Sequence, residues 1–537
     1  MTKWQKVVIS SSIIAISSAT TIAPFAFKYS LPNAGFKPIV YNYVQYISEN
    51  AESIINEKFA FRTYNDLPQF KQQLTEGKTI GGVSSDFQIA EFAIQNLIKP
   101  IDFNAFFGTT GIIYDENWAK DNYTDFVFQQ MSNYDAFLQQ KFIEQGKSLE
   151  EAKNLGQLWK WTIPYFTQDK VISFNVERLE NLSAAEKQDW LKLTPEALNA
   201  KFAGMSYVDV FKEFRRLGAQ KFAINDIHRQ NNAIGSTYNP TNPSGNNPDA
   251  TGTLNQVNFR TQTDNFVKIV EEGTGFRIND PSRIELNPSD PEILANLINP
   301  QRNDAVGVIY NGDAIQTIFT SFVFPEVYDN INRTEKNPVR TIRVANQISL
   351  LDGFVVANKI SPELEKQFLS TIYRAAFDGT YGLGEFQNGI LASDLSVSTH
   401  TEIVGSATVV EAINKITAKD LIGENQYKKL ANTSGFLNFD FVTYTPATRF
   451  QMNIALNHYY SDVVKRLYVE DENGPKNFQE FIGSNSEKQL LIENWAKYII
   501  RINMVPEGSI LKPLVVTPAS NFVNSISLNY YREKTTS

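Results

Sequence analysis

The chain has 537 residues, more than one hydrophobic core of ordinary size can organise, so two or more lobes are expected. Apolar residues make up 42% and charged residues 20%, the balance of a globular protein, and a formal charge of −8 argues against a nucleic-acid binder, which needs a basic face. The absence of cysteine excludes disulfides, thiolate catalysis, Cys-based zinc sites and thiol-linked lipids; the three histidines, His228, His400 and His458, form no H-E-x-x-H sequence.

Lys3 and Lys6 precede a mostly apolar stretch, 7–27, with Lys28 just beyond. It reads as a secretory signal or a retained signal anchor. It is long enough for a span of about 20 residues, its many Ser and Thr weaken it as a permanent anchor, and Ser17-Ser18-Ala19 offers a small-residue cleavage site. No second such stretch follows. Residues 1–36 are therefore assigned to a signal or anchor with its linker, and the bulk to a soluble body outside the membrane.

From Pro38 the pattern alternates strand and helix. Pro38 to Tyr43 reads as a strand, and Ile47, Ala51, Ile54 and Ile55 follow at helical spacing. Phe59 to Thr63 is a second strand, after which Asp66 caps a helix carrying Phe70 and Leu74. Thr79 to Ser84 is a third strand. Ile89, Phe92, Ala93 and Leu97 form one face of a helix that stops at Pro100. Repeated β-α-β units imply a parallel sheet covered by helices, with ligand bound beyond the carboxyl ends of the strands. Those ends carry Tyr43, Gln45, Tyr46, Ser85, Asp86 and Phe87.

Residues 103–160 are helix-rich. Ile163-Pro164-Tyr165 opens a new region, with a strand near Val171 to Asn175, a helix from Tyr207 to Leu217, and a strand from Lys221 to Ile224 ending at Asn225-Asp226. Residues 236–256 are packed with Asn, Pro, Gly, Ser and Thr and read as a mobile polar surface loop. Asp290-Pro291 starts a helix, with Asp at the N-cap and Pro at the first position. Ala305 to Tyr310 is a buried strand ending in Asn311-Gly312-Asp313, and another strand-like run passes through Leu351-Asp352-Gly353. Ser361-Pro362 opens a helix with Leu364, Phe368 and Ile372 on one face. Residues 378–435 read as an insertion, and the C-terminal part as helical around 450–467 and 476–504. No internal repeat is found.

Aromatic and carboxylate residues thus recur at strand ends: Tyr43, Tyr46, Asp86, Phe87, Asp226, Tyr310, Asp313 and Asp352. The mix suits an organic cation. Carboxylates form charge-assisted hydrogen bonds to ammonium groups, and aromatic faces attract cations at roughly 0.5–2 kcal/mol per contact. Taken singly, each aromatic reads as core and each Asp as a cap; the argument rests on their joint placement. There is no G-x-S-x-G elbow, Gly382-Leu383-Gly384 lacks the rest of a nucleotide loop, and no spacing selects a glycosidase pair, so a non-enzyme without a cofactor or metal is expected.

At this point the residues resemble a family, the bacterial spermidine/putrescine-binding proteins. Tyr41 to Ile47 is similar to that family's opening Y-N-W-x-x-Y strand, and Val83 to Phe87 to its P-S-(D/T)-Y strand end. Leu97 to Asp102 and Ile163-Pro164-Tyr165 look like the segments that follow. Ile309 to Ala314 is similar to I-W-N-G-x-A, Leu351 to Phe354 to M-D-S-L, and Tyr444-Thr445-Pro446 to a late Y-P-T-P turn. The matches run in family order over about residues 38–446.

The resemblance implies an α/β, two-lobed, type II periplasmic-binding-protein-like fold with mixed, mostly parallel sheets and helical insertions. It divides the chain into residues 37–168 and 350–445 for the first lobe and 169–349 and 446–537 for the second. It implies capture of polyamines by a chain that is a monomer when free, and delivery to the membrane permease and ATPase of an ABC importer. Carried over by position, Tyr43, Gln45, Tyr46, Ser85, Asp86, Phe87, Asp226, Tyr310, Asp352 and Tyr444 (or its neighbour Thr443) would line the pocket, with Asp352 anchoring an amine. The sequence departs from the pattern at Val44, Gln45, Leu350 and above all Arg229, which falls where an acidic residue would meet a terminal amine. A same-fold binder of another solute, and a surface adhesin or scaffold that kept the fold, are the rival readings.

Overall fold

The computed structural model describes residues 37–536 apart from 65–66, 194, 300, 321–337, 347, 382–426, 429, 461, 464–469, 472–473, 476–495, 497–498, 500–501 and 503–513. Four expectations lie wholly or largely outside these residues: the N-terminal apolar stretch, the Asp66 cap, most of the 378–435 insertion and most of the 476–504 helix.

The first units form as their patterns dictate. Strand β1 (Ile39–Tyr43) leads to helix α1 (Glu49–Lys58), whose first turn is capped by the Ser48 hydroxyl accepting from Ala51 N at 3.2 Å. Glu49 and Glu52 sit in that first turn and Lys58 in the last, each complementing the helix dipole. Strand β2 (Ala60–Tyr64), helix α2 (Leu67–Thr75), strand β3 (Gly81–Ser85) and helix α3 (Asp86–Ile94) follow. β1 pairs in parallel with both β2 and β3. Helix α3 is shorter than its periodicity suggests. Asn96 turns the chain at a φ of +54°, and Ile98–Lys99 becomes β4, because its backbone finds partners on Val356 and Ala357. Sheet pairing overrides the apolar spacing of Leu97.

Five short helices fill residues 103–155. Then comes β5 (Ile163–Asn175), buried over all 13 residues, of which the expected Val171–Asn175 strand is the second part. After two short helices (Ala184–Leu191 and Pro195–Lys201) come α4 (Tyr207–Arg216), β6 (Phe222–Asn225), α5 (His228–Ser236), α6 (Phe259–Thr274), β7 (Ile284–Asn287), α7 (Asp290–Ile298), β8 (Val306–Tyr310) and α8 (Asn311–Thr320). β9 (Val339–Ile342) and β10 (Ile348–Ala357) lead back, and β10 is followed by α9 (Pro362–Ile372) and α10 (Ser434–Val442).

The main path through the large sheet is β2-β1-β3-β10-β5-β8-β6-β7, with β4 pairing off it to β10 and β9 to β5. Parallel pairing is confined mainly to the two flanks; β10 runs antiparallel to both β3 and β5, and β5 antiparallel to β8. β5 is shared. Its residues up to Asp169 pair with β10, and from Lys170 on they pair with β8 and β9. The chain is therefore two lobes whose sheets meet where β5 changes partner.

Two expectations are corrected. The 236–256 segment is not a free loop: Asn246 donates to Gly204 O at 3.0 Å and Asn247 to Ser236 O at 2.8 Å, and Gly252 bridges to Val516. Its many amides satisfy neighbouring backbone groups, which holds it in place. The N-cap of α7 is Ser289, whose hydroxyl accepts from Glu292 N at 3.3 Å; Asp290 lies inside the first turn and is buried. A further helix, α11 (Asn521–Thr536), lies on α5 and α6, with Asn232 donating to Ser527 Oγ at 2.8 Å.

A carboxyl and tyrosine cluster where the lobes meet

β10 is ten residues long and buried throughout, as a strand covered on both faces is. One of those residues is Asp352, with no exposed surface. Burying a carboxylate costs far more than burying an amide unless its charge is matched. The match is made by neutral donors. The antiparallel register sets Ser85 opposite Asp352, and Ser85 Oγ donates to Oδ1 at 2.6 Å. Gln168 Nε2 donates to Oδ2. Pairing with β5 shifts between Asp352 and Gly353, and such irregularities re-aim side chains at functional sites. Gly353 is required there, since a Cβ would lie 2.0 Å from Thr162 Oγ1. Burial pushes the Asp352 carboxyl up to about 6 despite its hydrogen bonds from Ser85, Tyr46 and Gln168. Among the described residues no basic side chain forms an ion pair with it.

Tyrosines extend from this point across both lobes. Tyr43, at the end of β1, has its hydroxyl 3.0 Å from Ser85 Oγ. The Tyr46 hydroxyl accepts from Gln168 Nε2 at 3.1 Å. Ring centroids are 5.6 Å apart for Tyr43 and Tyr46, 5.4 Å for Tyr46 and Tyr444, and 6.3 Å for Tyr444 and Tyr310. Tyr43 and Tyr444 remain half-buried. Tyr444 OH donates to Asp313 Oδ2 at 2.9 Å, and its ring lies on Gly312, where a Cβ would approach Cδ1 to 2.1 Å. Burial, then the charge of Asp290, pushes the Asp313 carboxyl up to about 7. Thr443 holds the turn from a left-handed φ of +62°, with its hydroxyl 3.2 Å from Gly312 O.

The structure thus brings Tyr43, Tyr46, Ser85, Tyr310, Asp352 and Tyr444 together, with Asp313. It does not bring the other named residues there. Asp86 follows Ser85 in sequence but is turned into the core. Phe87 N at 2.7 Å, Gln130 Nε2 at 2.8 Å and Leu351 N at 3.2 Å donate to it, and burial raises it to about 7. It ties α3 to β10. Gln45 is exposed in a turn at a φ of +58°. Asp226 is exposed and accepts from Tyr531 OH of α11 at 2.7 Å. Phe87 lies under the Arg229 guanidinium, 5.8 Å from the ring centroid. Arg229 is buried, lowered to about 10 by that burial, and donates to Thr517 O and to Asn524 Oδ1 at 3.4 Å. None of these contacts involves Asp352 or Asp313, so the cation read from the sequence as an obstacle to amines is held by the C-terminal segment instead.

Three residues escaped the sequence reading: Gln168, Asp169 and Lys170. With Thr167 before them they form a polar break between two apolar stretches, and that interruption was the available signal. All three are buried where β5 changes partner. Gln168 serves Asp352 and Tyr46. Asp169 pairs with Arg343 at 2.8 Å and accepts from Ser349 Oγ at 2.6 Å. Lys170 pairs with Asp290 at 3.1 Å.

Chemically, the cluster offers buried carboxyls, hydroxyls and aromatic faces, which can hold an organic cation in place. Among the described residues no group of three His, Asp or Glu side chains could hold a metal ion. No described helix is long and apolar enough to cross a membrane.

Two α/β lobes joined through shared strands, with a polar cluster at the junction, define the type II periplasmic-binding-protein class of fold. Within that architecture the chain belongs to the hypothetical lipoprotein (MG045) family, whose model matches residues 2–458. The sequence itself holds no cysteine to carry a thiol-linked lipid. No curated protein matches the chain. Among solved structures it is similar to a Listeria monocytogenes chain described as a spermidine/putrescine ABC transporter (12% identity, TM-score 0.43, covering 93% of this chain and 98% of that one). It is also similar to the spermidine/putrescine ABC transporter substrate-binding protein PotD of Streptococcus pneumoniae (12%, 0.41, 93% and 100%). A third is an ABC transporter substrate-binding protein of Bradyrhizobium japonicum (10%, 0.36, 87% and 99%). The fold assignment rests on the strand order above.

Proposed function

We propose that the protein is the extracytoplasmic substrate-binding component of an ABC importer, held at the membrane through its N-terminal segment, and that its ligand is an aliphatic amine of the polyamine class. One observation carries this reading: Asp352 is a fully buried carboxyl answered only by neutral donors, amid tyrosines contributed by both lobes. An ammonium ion placed beside Asp352 and Asp313 would supply the missing charge, and the rings of Tyr43, Tyr46 and Tyr444 would cover its methylenes. No bond is made or broken. Contacts from both lobes to one ligand would favour closure about the β5–β10 junction, and the closed form would be what a permease recognises.

The test is thermal unfolding of the full chain with putrescine, spermidine, and a panel of anions and amino acids. A ligand at 100 times its dissociation constant adds about 2.7 kcal/mol to stability. A rise in Tm with amines alone is expected. A rise with an anion and none with amines would replace the cation reading with that of a same-fold binder of another solute.

A further inference from the structure

The two lobes do not present equivalent amine sites. On the second-lobe side the register sets Lys170 opposite Tyr310, and both are buried. The Lys170 ammonium lies 3.7 Å from the Tyr310 ring centroid and 3.1 Å from Asp290 Oδ2. The other Asp290 oxygen accepts from Asn225 Nδ2 at 2.6 Å, and the Tyr310 hydroxyl accepts from Gln230 Nε2. An aromatic face and a carboxylate, the pair that would hold an alkylammonium ion, already hold one. That ion is the end of a four-carbon chain and has the chemistry of one end of an aliphatic amine. It belongs to the protein and cannot leave.

We propose that Lys170 is a specificity-determining residue: its ammonium fills the second-lobe amine subsite of Tyr310 and Asp290, so the cleft selects short mono- and diamines, anchored at Asp352 and Asp313, over longer triamines. This rests on the amine reading of the cluster and adds to it the class of amine. A longer ligand would have to bring its next ammonium up to Tyr310, where it would meet a like charge in a poorly hydrated site. Burial lowers the Lys170 pKa, and the charge and hydrogen bond of Asp290 oppose that shift.

The test is isothermal titration of the full chain and of Lys170→Gln with putrescine and with spermidine. The Gln amide can still donate to Asp290 but carries no charge. The wild type is expected to bind putrescine at least about tenfold more tightly than spermidine, and Lys170→Gln to raise the spermidine-to-putrescine affinity ratio by about tenfold or more. Lys170→Arg, which keeps the charge, should leave the wild-type order in place. An unchanged ratio in folded Lys170→Gln overturns the inference while leaving the amine reading intact. Should Lys170→Gln fail to fold, the wild-type order decides: spermidine bound as tightly as putrescine, or more so, overturns the inference. If the folded wild type binds neither amine, the amine reading and this inference fall together.

Discussion

Asp352 and Asp290 approach the same tyrosine from opposite lobes, and both charges raise the Tyr310 pKa after burial does. Their settings differ. Asp290 sits against Lys170 and is an ion pair complete within the chain. Asp352 has a serine, an amide and a tyrosine, which supply partial charges only. A buried ion pair with its remaining oxygens satisfied is a structural device. Asp352, like Asp86, is answered only by dipoles, but it lies among the cluster tyrosines, where under the proposed reading an ammonium ion would supply the missing charge. The residue type is the same; what differs is whether a lysine answers the charge, as at Asp290, or dipoles alone do, as at Asp352 and Asp86.

The strongest way to break that comparison is Asp352→Asn, which removes the charge and keeps the shape. Loss of one partner of a buried charge pair costs about 2–5 kcal/mol, so Kd for amines should rise by roughly 30-fold or more. Calorimetry checks affinity, and unchanged or raised Tm checks that the fold persists. Unaltered affinity would move the anchor elsewhere.

Titration sharpens the comparison next. Asp313 at about 7 and Asp352 at about 6 must be ionised to hold a cation. Affinity should therefore fall by about tenfold for each pH unit below each value, measured between pH 8 and 5. Both carboxyls are raised by folding, so their contribution to stability is full below the unfolded carboxylate pKa of about 4 and is lost as pH rises to 6–7. The ligand-free Tm should decline over that window, less steeply in Asp313→Asn, and amines should restore it.

Asp86 gives a control of the opposite kind. Asp86→Asn faces an amide donor toward Gln130 or a backbone N–H, at a cost of about 1–3 kcal/mol. Tm should fall while affinity for amines stays within about twofold. The smallest effect is expected from Asp226→Ala. That carboxylate is exposed, and Tyr531 keeps its bond from Asn231 at 2.8 Å, so stability should change by within about 0.5 kcal/mol and affinity not at all. A large loss of binding in Asp226→Ala would place a ligand contact on the α5–α11 side.

The alternation of apolar strands and amphipathic helices made the α/β class legible without coordinates, since each lobe's core is built from the periodicities of its own elements. The strand ends were legible too, which is why Tyr43, Ser85 and Tyr310 could be named. Their neighbours could not be sorted in the same way. Ser85 and Asp86 differ by one position, and the passage from strand to helix sends one toward the tyrosines and the other into the core. Gln168, Asp169 and Lys170 stand where a strand passes between lobes, and no local pattern of residue types distinguishes that point from any other polar break.

By itself the sequence determined which residue types stand at the ends of which strands, because turn chemistry and apolar period act over a few residues. Only the tertiary structure decided which carboxylate meets a cationic side chain and which meets neutral donors alone. Ser85 and Asp352 are 267 positions apart and Lys170 and Asp290 are 120 apart. A carboxyl's charge state and use depend on burial and on the few groups within hydrogen-bonding distance, and sheet register and the bulge at Asp352 choose those groups.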